Sequence, residues 1–199
     1  MKKIILLLSA FSLLLFSCSS EVKDEKENNL TELNSESEIN YLEKGMQFAM
    51  QTQKELGKNL MKQIKINGTA SAVKFCSVSA LKIVDSMQNV LHAKISRVTD
   101  KPRNESALAN SEELKYIESY KQTLLKGEKP KPFTKEIGGK TTFYSPVLTN
   151  GMCMQCHGNE KDAIKFEVLT VLDSLYPTDK AKGYLPNQIR GMWKVEFEK

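Results

Sequence analysis

Hydrophobic and polar positions change rhythm along this chain. Ile4 to Phe16 form an almost unbroken apolar run behind Lys2 and Lys3, and residues 19–38 are polar and acidic-rich with few large apolar side chains. From Tyr41 the pattern becomes periodic. Leu42, Met46, Ala49, Gln53, Leu56, Leu60 and Ile64 recur at three- and four-residue steps, with Lys44, Lys54, Glu55, Lys58 and Lys62 mostly on the other side. That spacing predicts a long amphipathic helix. Asn67-Gly68 is a C-terminal stop, and Thr69 or Ser71 can cap a second helix from about Ala70 to Asn89. Its apolar face carries Ala72, Cys76, Ala80, Ile83, Val84 and Met87. Small residues at 72, 76, 79 and 80 let something bulky approach the backbone, either a neighbouring helix or a flat macrocycle.

Farther on, Ala93 to Thr99 reads as a short strand and Lys101-Pro102-Arg103-Asn104 as a turn. Ser111-Glu112-Glu113 opens a helix over 111–126, with Leu114, Ile117, Tyr120 or Thr123, and Leu124 inward. Residues 133–138 and 141–148 form a hairpin across Gly138-Gly139. Asp162 to Leu175 is a further helix, and Met192 to Phe197 alternates as a last strand. Helices followed by short strands with interspersed helices predict an α+β domain built on an antiparallel sheet.

The first residues change the picture of where this domain works. The apolar run is too short to span a bilayer comfortably and is followed by polar sequence, so it reads as an export signal. Leu15-Phe16-Ser17-Cys18 resembles a lipobox, which makes Cys18 the lipidated residue and anchors the protein to a membrane without spanning it. The expected organisation is a signal peptide at 1–17, a lipidated flexible tether at 18–40 and one domain at 41–199. The expected location is the periplasmic face or the cell surface. Net charge is +5, from 29 basic and 24 acidic residues, and removal of Lys2 and Lys3 brings it closer to balance. Such a small, dispersed excess does not argue for nucleic acid.

Without Cys18, three cysteines remain: Cys76, Cys153 and Cys156. An odd number outside the cytoplasm is not a complete disulfide framework, so some thiol has another task. Cys153-Met154-Gln155-Cys156-His157 is C-x-x-C-H, the haem c attachment motif. Two thiols at this spacing reach both vinyl groups of one haem, and the adjacent histidine binds iron as the proximal ligand. The competing readings are a redox dithiol, for which the βαβ context is missing, and a zinc site of Cys76, Cys153, Cys156 and His157. For the sixth iron position the candidates are Cys76, His92, a methionine or nothing. Cys76 and His92 point about 160° apart on a continuous helix. His92 reads as a solvated loop residue, while Met46, Met50, Met61 and Met87 read as core. Arg97, Arg103, Tyr144 and Arg190 are candidates to hold haem propionates, and Trp193 reads as core.

With these residues in view, the chain resembles a family of exported, PAS-like c-type haem domains catalogued as a domain of unknown function. The resemblance runs from about residue 41 to the end. It is carried by Ala72-Val-Lys-Phe-Cys76, Ile95 to Asn104 with Ala107 and Ala109, and Phe143-Tyr-Ser-Pro-Val147 leading into Cys153 to Gly158. Tyr176 to Tyr184 and Ile189-Arg-Gly-Met-Trp193 complete it; Asp100 and Glu105-Ser106 depart from the family's usual wording. The resemblance implies a PAS-like sheet flanked by helices, and iron held between the motif histidine, His157, and an upstream cysteine at the position of Cys76.

A thiolate opposite histidine favours ferric iron, and a six-coordinate haem leaves no open position for oxygen chemistry. The expected function is therefore a haem-based redox or gas sensing module, with nitric oxide or carbon monoxide as possible ligands. The alternative is a low-potential electron-transfer cytochrome serving a membrane-side partner protein. No base or nucleophile constellation stands beside the motif, so an enzyme is not expected.

Overall fold

The computed structural model describes the backbone of residues 22–198 and the side chains from Asn40 onward. The export signal and Cys18 lie outside the described residues. Contacts divide the chain into Met1–Ser37 and Glu38–Lys199, and the description below concerns the second unit. In the first, the backbone is helical from Val22.

Helix α1 (Val22–Leu91) is broken at Gly68, whose φ of 78° and ψ of 170° leave the helical region. The Asn67-Gly68 stop is thus where the sequence placed it, since only glycine adopts this conformation without a steric cost. Strand β1 (Ala93–Val98) follows, then α2 (Ser111–Leu125) and the hairpin of β2 (Phe133–Ile137) and β3 (Lys140–Leu148). Gly138 and Gly139 both have positive φ, 58° and 73°, as a two-residue hairpin turn requires. Short α3 (Met154–His157) and α4 (Phe166–Leu175) precede β4 (Ile189–Phe197). The strands lie in the order β1-β4-β3-β2, all antiparallel. This is the expected α+β architecture, with the last strand inserted between the first and third. No helix among the described residues is long and apolar enough to cross a membrane.

The two faces of the sheet bury different partners. On one, Ala49 of α1 packs against Ile95, Phe143, Trp193 and Val195, with Leu42, Met46 and Leu56 alongside. Contact there depends on Gly45: a Cβ at that position would stand 2.2 Å from Phe143 Cγ. Trp193 is core as expected, its indole N–H donating to Gln53 Oε1 at 3.0 Å. The other face packs Ile117 and Tyr120 of α2 against Tyr144, Ile189 and Met192.

Several elements differ in detail from the sequence reading. Helix α2 opens at Ser111 as read, capped by Asn110 in a reciprocal box with Glu113, but Leu114 is exposed, so the inward stripe is Glu113, Ile117 and Tyr120. Met50 and Met61 are exposed rather than core. Helix α4 starts at Phe166, because the chain at 159–164 turns on backbone bonds from Ala163 and Ile164 to the Asn159 carbonyl. Strand β4 starts three residues early, at Ile189. Its alternation is hidden by a register irregularity at Val147/Leu148 opposite Gly191, where a Cβ would stand 2.4 Å from the Val98 carbonyl oxygen.

Candidate haem-attachment site

The attachment motif lies in the long crossover between β3 and β4. Thr149 closes the mouth of that crossover: its hydroxyl donates to the Leu185 carbonyl at 2.6 Å and accepts from Gln188 N at 2.9 Å. Asn150 then caps a single 3₁₀ turn, its side-chain oxygen accepting from Met152 N and Cys153 N. The turn runs directly into α3, which carries Cys156 and His157. At Gly158 the chain leaves the helix through a gap that admits no side chain, since a Cβ would meet Ala163 Cβ at 2.6 Å and the Met154 carbonyl at 2.7 Å.

His157 is set by what lies across from it. Its Nδ1 is 2.7 Å from the carbonyl oxygen of Ala181, which can only accept, so Nδ1 carries the proton and Nε2 keeps its lone pair. Tyr184 N donates to the His157 carbonyl at 2.9 Å, and the Tyr184 ring meets the imidazole edge-on at 6.3 Å. Burial, then the Arg103 and Arg190 guanidiniums, hold the imidazole pKa well below the ordinary histidine value. A neutral ring with a free Nε2 is the form that binds metal.

Cys76 comes from the half of α1 beyond Gly68. Val73, one turn earlier, packs with Ile164, Val168 and Leu172, and Cys156 packs against the same cluster. Thr69 Oγ1 donates to Gln155 Oε1 at 2.9 Å, tying the start of this half-helix to the motif. Burial raises the thiol pKa of both Cys76 and Cys156, with Arg103 opposing in each case, and Cys76 adds to the rise at Cys156. Among the described residues no three His, Cys, Asp or Glu side chains are placed to hold a metal ion, so the Cys₃His zinc alternative is not assembled. His92 stands exposed at the end of α1 in a left-handed conformation, φ 49°.

The four propionate candidates separate. Arg97 stacks on Trp193 at 5.4 Å, on the sheet face that α1 covers. Its side chain is open to solvent, and desolvation, then Arg190, brings its pKa down to about 10. Arg190 is buried, donating to Thr99 Oγ1 at 3.0 Å and the Lys101 carbonyl at 3.2 Å, and its Nε has no hydrogen-bond partner. Arg103 is committed to the protein, through Nε to Asp179 Oδ2 at 3.0 Å and through one Nη to the Cys156 carbonyl. Tyr144 lies on the opposite face of the sheet, against Tyr116 and Phe133, and is not among the residues brought together here. The reason is the two-residue period of a strand: its neighbour Phe143 faces α1, so Tyr144 faces α2.

The family model for Tll0287-like proteins, described as Tll0287, matches residues 18–197. The chain belongs to the Tll0287-like family. Among solved structures, this Tll0287-like chain is similar to the crystal structure of the cyanobacterial heme-protein Tll0287, at 15% identity and a TM-score of 0.56, covering 76% of this chain and 92% of that one. That likeness shows a shared fold. No curated protein matches the chain.

The Tll0287-like scaffold here offers two thiols, an imidazole with its Nε2 lone pair free, the buried unpartnered Nε of Arg190, and the exposed guanidinium of Arg97. A covalently held iron porphyrin would take the two thiols as its tether, an imidazole nitrogen on its iron and cations at its propionates. The residues fit the group.

Proposed function

We propose that this protein carries one covalent haem c, attached through Cys153 and Cys156, with His157 as proximal ligand and Cys76 as the opposite ligand. The observation that supports this most is the Nδ1 contact of His157 with the Ala181 carbonyl, which leaves Nε2 free on the residue that follows Cys156. The structural neighbour is by its own description a heme-protein, which points the same way. Arg97 and Arg190 would meet the propionates. The haem supplies one-electron exchange at iron, and the chain's own residues tether it, fix the imidazole and surround it with positive charge.

With histidine and thiolate on the iron, the role we infer is redox or gas sensing. Loss of the Cys76 bond on reduction, or its replacement by nitric oxide or carbon monoxide, would be the signal, and no enzymatic step is assigned. A second reading, electron transfer to a partner protein, draws on Leu148, Met152 and Leu185. These apolar side chains are exposed, on segments that Thr149 holds together beside the attachment turn. In either role the protein would be exported and held at a membrane surface by lipid on Cys18, with no nucleic-acid partner.

The test is an absorption spectrum, oxidised and reduced, of protein expressed with haem-attachment machinery. The expected result is a c-type spectrum with thiolate character in the ferric form, retained through acid–acetone extraction. Absence of haem bands overturns the reading. Cys76→Ala should leave haem attached, change the ferric spectrum and raise the potential; an unchanged spectrum removes Cys76 from the iron.

A further inference from the structure

His157 is aimed by a carbonyl, and that carbonyl is itself held in place. Ala181 N donates to Asp179 Oδ1 at 2.8 Å, closing a side-chain turn two residues long that fixes the backbone at 179–181. The other carboxylate oxygen, Oδ2, accepts from Arg103 Nε at 3.0 Å. Arg103 reaches onward, one Nη donating to the Cys156 carbonyl. Because Cys156 and His157 are neighbours in the chain, these contacts form a closed circuit: His157 ring, Ala181, Asp179, Arg103, Cys156.

The circuit is buried and braced. The Asp179 side chain is 1% exposed, that of Arg103 14%, and Ala181 is fully buried. Lys180 N donates to the Pro102 carbonyl at 3.0 Å, and Lys101 Nζ to the Lys182 carbonyl at 2.8 Å, so the 101–103 turn and the 179–182 loop are stitched together twice more. A carboxylate this deeply buried carries a large desolvation penalty, which an ion pair with good geometry offsets but seldom exceeds. Gross stability is therefore a poor explanation for placing it here, whereas fixing a carbonyl against the motif histidine is one that uses both of its oxygens.

We infer that Asp179, braced by Arg103, is the positioning residue for His157. It holds the Ala181 carbonyl on Nδ1, thereby setting the imidazole's tautomer and orientation and strengthening Nε2 as a donor. Hydrogen bonds to the far nitrogen of a metal-binding histidine raise its basicity. The iron part of this inference rests on the haem reading; the histidine clamp does not.

The experiment compares full-length wild type with Asp179→Ala and Asp179→Asn. Asparagine keeps an acceptor for Ala181 N but loses the charge that holds Arg103. Histidine-selective ¹⁵N NMR reports the Nδ1-protonated tautomer with or without iron, and the chain has only two histidines to assign. The expected result is loss of the slowly exchanging Nδ1–H signal of His157 in Asp179→Ala and its partial retention in Asp179→Asn. In haem-loaded protein the midpoint potential should rise in the same order, Asn then Ala. A wild-type Nδ1–H signal in Asp179→Ala overturns the clamp; should that variant not fold, a wild-type signal and an unshifted potential in Asp179→Asn overturn it instead. Wild type without haem bands, but with the tautomer still dependent on Asp179, sinks the haem reading and leaves the clamp standing.

Discussion

The two faces of the sheet are built to different specifications. Under α2 the packing is aromatic and closed. Tyr116, Tyr120, Phe133 and Tyr144 form a continuous aromatic cluster, the Tyr120 hydroxyl lies 3.4 Å from the Tyr144 carbonyl, and Lys194 Nζ pairs with Glu113 Oε1 at 3.1 Å. The α1 side is closed in the same manner only as far as Trp193. Beyond it, toward the attachment motif, positive groups gather: the exposed Arg97 lies against the indole, and the Arg190 Nε has no hydrogen-bond partner. The difference teaches where to look for a ligand. A guanidinium Nε buried without a hydrogen bond, beside an exposed arginine, is where an anionic group would be met.

The strongest way to break this comparison is Tyr144→Ala. It removes a fully buried ring from the α2 face and should cost roughly 3–5 kcal/mol, read by denaturant unfolding. Haem content per folded molecule should be unchanged; a parallel loss of haem would place Tyr144 in the site after all. Next is Gly45→Ala, which drives a methyl into Phe143 where α1 meets the sheet and should cost about 1–3 kcal/mol by the same measurement. Arg97→Gln sharpens the contrast from the other side. Stability should stay within about 0.5 kcal/mol of wild type, while loss of a cation near the iron should lower the midpoint potential. A large destabilisation would make Arg97 structural.

The smallest effect is alkaline. Desolvation raises the pKa of Tyr144 to about 12 and raises that of Tyr120 as well. In the unfolded chain a tyrosine loses its proton near pH 10, so above that the unfolded state binds fewer protons than the folded one. Stability should therefore be full below about pH 10 and fall as pH rises through the folded values. Tyr120→Phe should flatten that decline, checked by urea midpoints across the range.

What could be read in advance follows the range of the interactions. The break in α1, the Gly138-Gly139 hairpin and the spacing of Cys153, Cys156 and His157 are local, set by residues within a few positions, and all three stand in the sequence. The face taken by Tyr144 is not local: it depends on strand register, which one residue inverts. The circuit through Asp179 joins residues 76 apart in the chain at its longest step, Arg103 to Asp179. Its one sequence trace is the aspartate two residues before Ala181, a spacing that favours a side-chain turn but does not say which carbonyl the turn will aim. The early start of β4 was masked for another reason, since the irregularity at Gly191 interrupts the alternation by which strands are recognised.

Gly68 has a mechanical consequence. A helix as long as α1 would act as a rod, carrying any pull or twist at one end through to the other. With one residue out of helical conformation it is two rods and a joint. Load on the first rod goes into the sheet, through Ala49 and the Gly45 contact with Phe143. The second rod, bearing Cys76, is held by Val73 against α4 and by Thr69 against the attachment turn. Movement of the first rod is thus taken up by the sheet and the joint before it reaches Cys76, and the distance between that thiol and His157 is left to the short segments around them.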